Sequence, residues 1–357
     1  MTISPTKNRI AYLDAFRGLA ILLVLGYHAF ARWPELLPYG RQYASVPLFK
    51  FGWLGVPLFF LISGFVILMT LEACDGVRDF LYRRWLRLFP AMLLCSALIF
   101  ATAGYFVERP SGAPTWVGLL PGLLFVEPGW LEKLLGMPVV PLEGVFWSLY
   151  VEFKFYVIGA FLYFWVSKAR FVHILAALYL VYMAARVVAR FTPGQVGEWP
   201  YIACHTLSLD YFGWFGAGAA YYLFTKQRDF RYVGVAIVLS LFSSVTTVSM
   251  VALTIPGILA AVFVAGLFAV AIVSERFQRL VDSRVLGFFG AISYPLYLIH
   301  ENMMIAITVK LGRVWPEAPG LLLALLALAV VSALAYVIAH HLERPLKQAF
   351  DGVLRSA

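Results

Sequence analysis

The sequence predicts an all-α fold, a polytopic transmembrane helical bundle with about 10 transmembrane helices and both ends cytoplasmic (N-in and C-in). Three observations predict it. Hydrophobic residues are 62% of the 357 and charged residues only 13%, against about 25% charged in a soluble domain. The apolar residues come in runs that match a bilayer core of about 30 Å, which takes about 20 residues as a helix. The formal charge of +9 is scattered in short basic clusters between those runs, as membrane topology requires; a nucleic-acid partner is not expected.

Taken in order, the spans fall at 11–31, 52–72, 87–106, 144–166, 171–190, 206–224, 232–249, 255–273, 285–309 and 320–340. The first run has no small-residue cleavage site behind it and is expected to stay as helix one. The break between the seventh and eighth rests on "SMVALTIPG" alone. Nothing repeats and no soluble segment stands out, so residues 1–357 are expected to form a single integral-membrane domain with no fused soluble domain. With the N-terminus inside, Lys7, Arg9, Arg78, Arg83, Arg84, Arg87 and their later counterparts collect on the cytoplasmic side. Seventeen basic residues lie there against nine outside, which favours N-in and C-in by the positive-inside rule. The longest outer loop, 107–143, is rich in Pro, Gly and Trp and suits a lid or acceptor platform. Cys74, Cys95 and Cys204 show no paired spacing, so neither a disulfide framework nor a zinc site is expected. The six histidines form no ligand-spaced motif, and no metal is expected.

Polar residues inside the apolar runs carry the functional signal, because a charge in a bilayer costs about 2.5–3.5 kcal/mol even on the lenient translocon scale. "YLDAFRGLAILLVLGYHAF", residues 12–30, holds Asp14, Arg17 and His28. Eleven residues separate Arg17 from His28, three turns plus about 20°, so both sit on one face about 16 Å apart. Asp14, one turn before Arg17, can pair with it. The fourth span, "FWSLYVEFKFYV", offers Glu152 to the interior, either as a reacting group or as partner to an arginine on another helix. Lys154, about 200° round the helix, leans toward lipid or a neighbouring helix. In the ninth span "SYPLYLIHENM" aligns Tyr294, Tyr297 and His300, the histidine being either catalytic or bonded to a neighbour. Ser63 and Gly64 in "FFLISGFVI" suit close helix packing. Counting rise per residue places His28, His300 and Glu152 in the outer half, with Arg17 and "RRWLRLFP" toward the cytoplasm.

These segments resemble a known family, the membrane acyltransferase family 3. "LDAFRGLAILLVLGYH" is similar to its Arg, ten residues, His pattern at Arg17 and His28. "GVPLFFLISGFVI" is similar to its second-helix segment, and "RRWLRLFP" to its Arg-x-x-Arg element before helix three, at Arg84 and Arg87. "WSLYVEFKFY" is similar to the element carrying its glutamate, here Glu152, though Phe153 and Lys154 replace a common Glu-Gln pair. "SYPLYLIH" and "LERPL" are similar to the late elements, at His300 and Glu343.

The resemblance implies an inner-membrane O-acyltransferase. It would move an acyl group, acetyl foremost, from cytosolic acyl-CoA to a hydroxyl of a glycan or glycoside acceptor, as in polysaccharide modification. His28 is then the general base, with Glu152 and His300 beside the chemistry, while Arg17, Arg84 and Arg87 bind the phosphates of the donor, acetyl-CoA. Direct transfer and a route through acyl-His28 both fit. A second reading, from the polar residues alone, is a transporter or exporter with Arg17, Glu152 and His300 as a proton or substrate relay.

Overall fold

The computed structural model describes residues 10–192 and 194–356; Lys7 and Arg9, counted above as cytoplasmic charges, lie outside them. All regular structure among the described residues is helical. The elements are α1 (Ala11–Tyr27), α2 (Pro47–Lys50), α3 (Gly55–Glu72), α4 (Val77–Thr102), α5 (Leu119–Leu124), α6 (Pro128–Leu135), α7 (Trp147–Phe161) and α8 (Phe171–Phe191). There follow α9 (Gln195–Thr206), α10 (Phe212–Gln227), α11 (Arg231–Val251), α12 (Ile255–Val273), α13 (Glu275–Val281), α14 (Arg284–Val314), α15 (Gly320–Val337) and α16 (Glu343–Ser356).

Eight of the expected spans are helices long and apolar enough to cross a membrane, which makes this a multi-pass membrane protein. The expected sixth and ninth are different. α10 has only 16 residues, and α14, with 31, carries His300, Glu301 and Asn302 in its middle. Both helices are walled in by protein: Phe212–Tyr221 is buried throughout, as is most of 290–308. A helix surrounded by other helices needs less apolar surface than one facing lipid, so the two fall below the hydropathy of the rest. The thin break at "SMVALTIPG" is real. Thr254 accepts a hydrogen bond from the Gly257 amide at 3.3 Å, and Pro256 occupies the first turn of α12, a pairing that starts a helix. The third span begins earlier than expected: α4 takes in Val77 onward and holds Pro90 inside it, so "RRWLRLFP" is helix rather than an approach to one.

α14 is the axis of the bundle, packed along α1 and α15. Its contact with α1 is set by two glycines. A Cβ on Gly18 would lie 2.0 Å from the Leu286 carbonyl oxygen, and one on Gly290 would lie 2.0 Å from that of Asp14. Backbone therefore meets backbone, as small residues allow between membrane helices. That approach carries the C-terminal end of α1 alongside the middle of α14, where α1 gives way to a π-helical turn, His28–Arg32. Such turns interrupt α-helices most often at functional positions.

Candidate active site

Two cavities meet inside the bundle. The first lies toward the N-terminal end of α1 and is lined by Arg17, Arg84, Arg87, Ser63, Glu152 and Tyr294. The Arg17 guanidinium donates to Asp14 Oδ1 at 3.0 Å, the pairing expected from the one-turn spacing. Arg84 is buried. It donates to the Val66 carbonyl at 3.2 Å and to Thr70 Oγ1, and it stacks over the Tyr156 ring at 5.4 Å. Its Nε is a buried donor with no hydrogen-bond partner among the described residues. Arg87, by contrast, is exposed. Glu152 Oε1 accepts from Ser63 Oγ and from the Tyr156 hydroxyl, both at 2.7 Å. Ser63, which its sequence context assigns to packing, thus fixes a carboxylate.

The second cavity is lined by His28, Arg32, Ser111, Trp147, Tyr211 and Glu301. Here the structure brings His28 and His300 together, His300 Nε2 lying 3.3 Å from His28 Nδ1. His28 Nδ1 is also 2.9 Å from the Val24 carbonyl, and His300 Nδ1 is 2.9 Å from that of Tyr297. A carbonyl only accepts, so these partners assign the proton to Nδ1 of each ring. His28 Nε2 is then left with its lone pair, facing Glu301 Oε1 at 3.5 Å. Glu301 is held from behind by the Val145 amide, which donates to Oε2 at 3.0 Å.

Glu152 does not join the histidines; it stands among the arginines of the first cavity. The histidines' carboxylate is Glu301, which sequence reasoning missed. Its signal was the polar triplet His300-Glu301-Asn302 in mid-helix, of which only the histidine was taken up. Asn302 was missed too, and it ties the outer loop down. Its side chain donates to the Leu142 carbonyl at 2.9 Å and to Ser111 Oγ at 3.1 Å, and accepts from the Ser111 amide at 2.9 Å. Its backbone amide donates to Glu143 Oε2 at 3.0 Å, and Arg109 stands 4.0 Å from the other oxygen. Burial, and then the nearness of Glu301, push the Glu143 carboxyl up to about 8. The 107–143 loop is thus fastened over the second cavity. Lys154 fastens its other side through Glu127 at 2.6 Å and the Thr206 carbonyl at 2.7 Å.

Val56 and Tyr297 line both cavities and form the wall between them. The Tyr297 hydroxyl donates to the Val145 carbonyl at 3.0 Å and pairs with Ser148 Oγ at 2.7 Å. The arrangement gives a cationic chamber, a hydrogen-bonded partition, and a chamber with two histidines and a carboxylate.

Comparison with known proteins identifies the family. A family model described as an acyltransferase domain, acyltransferase 3, matches residues 10–340. Acyltransferase MdmB of Streptomyces mycarofaciens is 30% identical over 154 residues, 43% of this chain and 38% of its own. The putative peptidoglycan O-acetyltransferase YrhL of Bacillus subtilis (strain 168) is 28% identical over 218 residues, 56% of this chain and 31% of its own. The O-acetyl transferase of Shigella phage Sf6 is 32% identical over 95 residues, 27% of each chain. The chain therefore spans well under half the length of each of these relatives. No solved structure matches it. With the family model covering nearly the whole sequence, the chain belongs to the acyltransferase 3 family.

Proposed function

We propose that the protein is an inner-membrane O-acyltransferase that moves an acyl group, acetyl foremost, from acyl-CoA to a hydroxyl of a glycan or glycoside acceptor. One observation carries this reading: the arginine chamber and the histidine chamber adjoin across Tyr297, so an anionic carrier held in one can present its acyl end in the other. Arg17, Arg84 and Arg87 are fixed donors for the carrier's phosphates. The unpartnered Nε of buried Arg84 suits an anionic ligand, since a buried donor left alone costs about 1–3 kcal/mol. On the N-in topology the arginine chamber opens to the cytosol, where the donor is made.

In the reaction, the acceptor hydroxyl gives its proton to His28 Nε2 as its oxygen attacks the thioester carbonyl. The tetrahedral intermediate collapses, the carbon–sulfur bond breaks, and the thiolate takes the proton back from His28. The charge on His28 between those steps is balanced by Glu301 Oε1, 3.5 Å from Nε2. His300 accepts from the His28 Nδ1–H and holds the ring in the tautomer that leaves Nε2 bare. The test is thiol release from acetyl-coenzyme A by the purified protein in lipid nanodiscs. His28→Ala should abolish it while the melting temperature holds; full activity in that variant sinks the base assignment.

A further inference from the structure

Beside the histidine chamber lies a third cavity, open to the side of the bundle between α8, α9 and α11. Arg186 and Arg190, in the last turns of α8, line it. Arg186 donates to Ser249 Oγ at 2.8 Å and points toward the Thr246 carbonyl at 3.5 Å. Among the described residues neither arginine is ion-paired, although Glu198 lines the same cleft. The rest of the lining is apolar and open: Phe191 is 79% exposed, Leu253 65% and Ile202 45%. Two guanidiniums at the head of an apolar groove match a phosphate with a hydrocarbon chain below it. Basic pockets between membrane helices take phosphate head groups in this way.

Its position makes the cleft more than a lipid contact. Thr246, Ser249 and Leu253 line it, whereas Thr247, Met250 and Val251 line the His28 chamber. The two cavities therefore flank the same end of α11. The near walls of the two cavities are thus about one helix width, some 10 Å, apart. A short oligosaccharide attached to the phosphate is long enough to pass from one cavity to the other.

Building on the O-acyltransferase reading, we infer that this cleft binds the phosphate of a lipid-linked acceptor: a glycoside joined through phosphate to a long hydrocarbon chain. The lipid end rests on α8 and α9, and the glycan passes over the end of α11 into the His28 chamber.

The test is binding, which needs no turnover and so stands apart from the enzymatic reading. Protein in phosphatidylcholine nanodiscs is titrated with a polyprenyl-phosphate hexoside, the same hexoside on an uncharged alkyl chain, phosphatidylglycerol and inorganic phosphate, read by native mass spectrometry. The wild type should prefer the phosphate-linked hexoside at least tenfold over each of the others. Arg186→Gln with Arg190→Gln should remove that preference, and Arg186→Lys with Arg190→Lys should restore much of it. Equal binding of phosphatidylglycerol, which makes the cleft an ordinary phospholipid contact, overturns the inference. So does equal binding of inorganic phosphate, or an unchanged preference in a folded glutamine variant.

Discussion

Glu301→Gln tests the catalytic geometry most directly. The substitution keeps the shape of the side chain and leaves an oxygen to accept from the Val145 amide, now at 3.0 Å, so the fold should survive. What it removes is the negative charge 3.5 Å from His28 Nε2. Two unit charges at that distance attract by about 5 kcal/mol at an effective dielectric near 20. The carboxylate shares its charge between two oxygens and only Oε1 faces the ring, so about half of that, roughly 2.5 kcal/mol, acts on the imidazolium; by transition-state arithmetic this is about a hundredfold in rate. The neutral His28 of the resting site feels little of it, so the loss should fall on kcat and leave KM for the donor alone. The amide also turns an N–H toward Nε2 and ties up its lone pair, which pushes in the same direction. Thiol release at saturating acetyl-coenzyme A, with melting temperature as the folding control, measures the effect. A folded variant whose kcat stays within about threefold of wild type refutes the charge-partner role of Glu301.

Three other outcomes follow from the same geometry. Glu152→Gln retains acceptors for Ser63 and Tyr156 but removes a carboxylate that repels donor phosphates; KM for acetyl-coenzyme A should fall with kcat within about threefold, whereas a hundredfold drop in kcat moves Glu152 back to the proton chemistry. Gly290→Ala drives a Cβ to within 2.0 Å of the Asp14 carbonyl oxygen and should cost about 1–3 kcal/mol through overpacking, seen as a lowered melting temperature with a disproportionate loss of thiol release. Glu143, raised to about 8, favours the folded loop in its neutral form. That contribution is lost as pH rises from the ordinary carboxyl range through about 8, so hydrogen exchange in 107–143, corrected for intrinsic rate, should speed up across that window and level off above about 8 in the wild type, with no such rise in Glu143→Gln.

The helical membrane class was legible because composition and run length are properties of the chain itself. So were the Asp14–Arg17 pair and the shared face of Arg17 and His28, which depend only on helical period. The meeting of His28 with His300 was half legible: counting rise put both at similar depth, but depth says nothing about which helices touch. That was decided by Gly18 and Gly290, whose role appears only once a backbone lies against them. Glu152 shows the limit from the other side. Depth arithmetic placed it with the histidines, but side-chain direction and the hydroxyls of Ser63 and Tyr156 turn it into the arginine chamber. Glu301 was hidden because its neighbour in sequence already supplied a plausible catalytic group. α10 and α14 fall short of the apolarity of a free span because their neighbours are helices.

The partition at Tyr297 has a consequence for the cell as well as for the reaction. The two cavities share Val56 and Tyr297 as a common wall, and that wall is all that divides them at this point. The Tyr297 hydroxyl, clasped by Val145 and Ser148, stands in that shared wall. Variants that loosen it, Tyr297→Ala above all, should be judged by the ionic conductance they confer on a planar bilayer as well as by thiol release, since a joined pair of cavities would offer water and ions a path through the bundle.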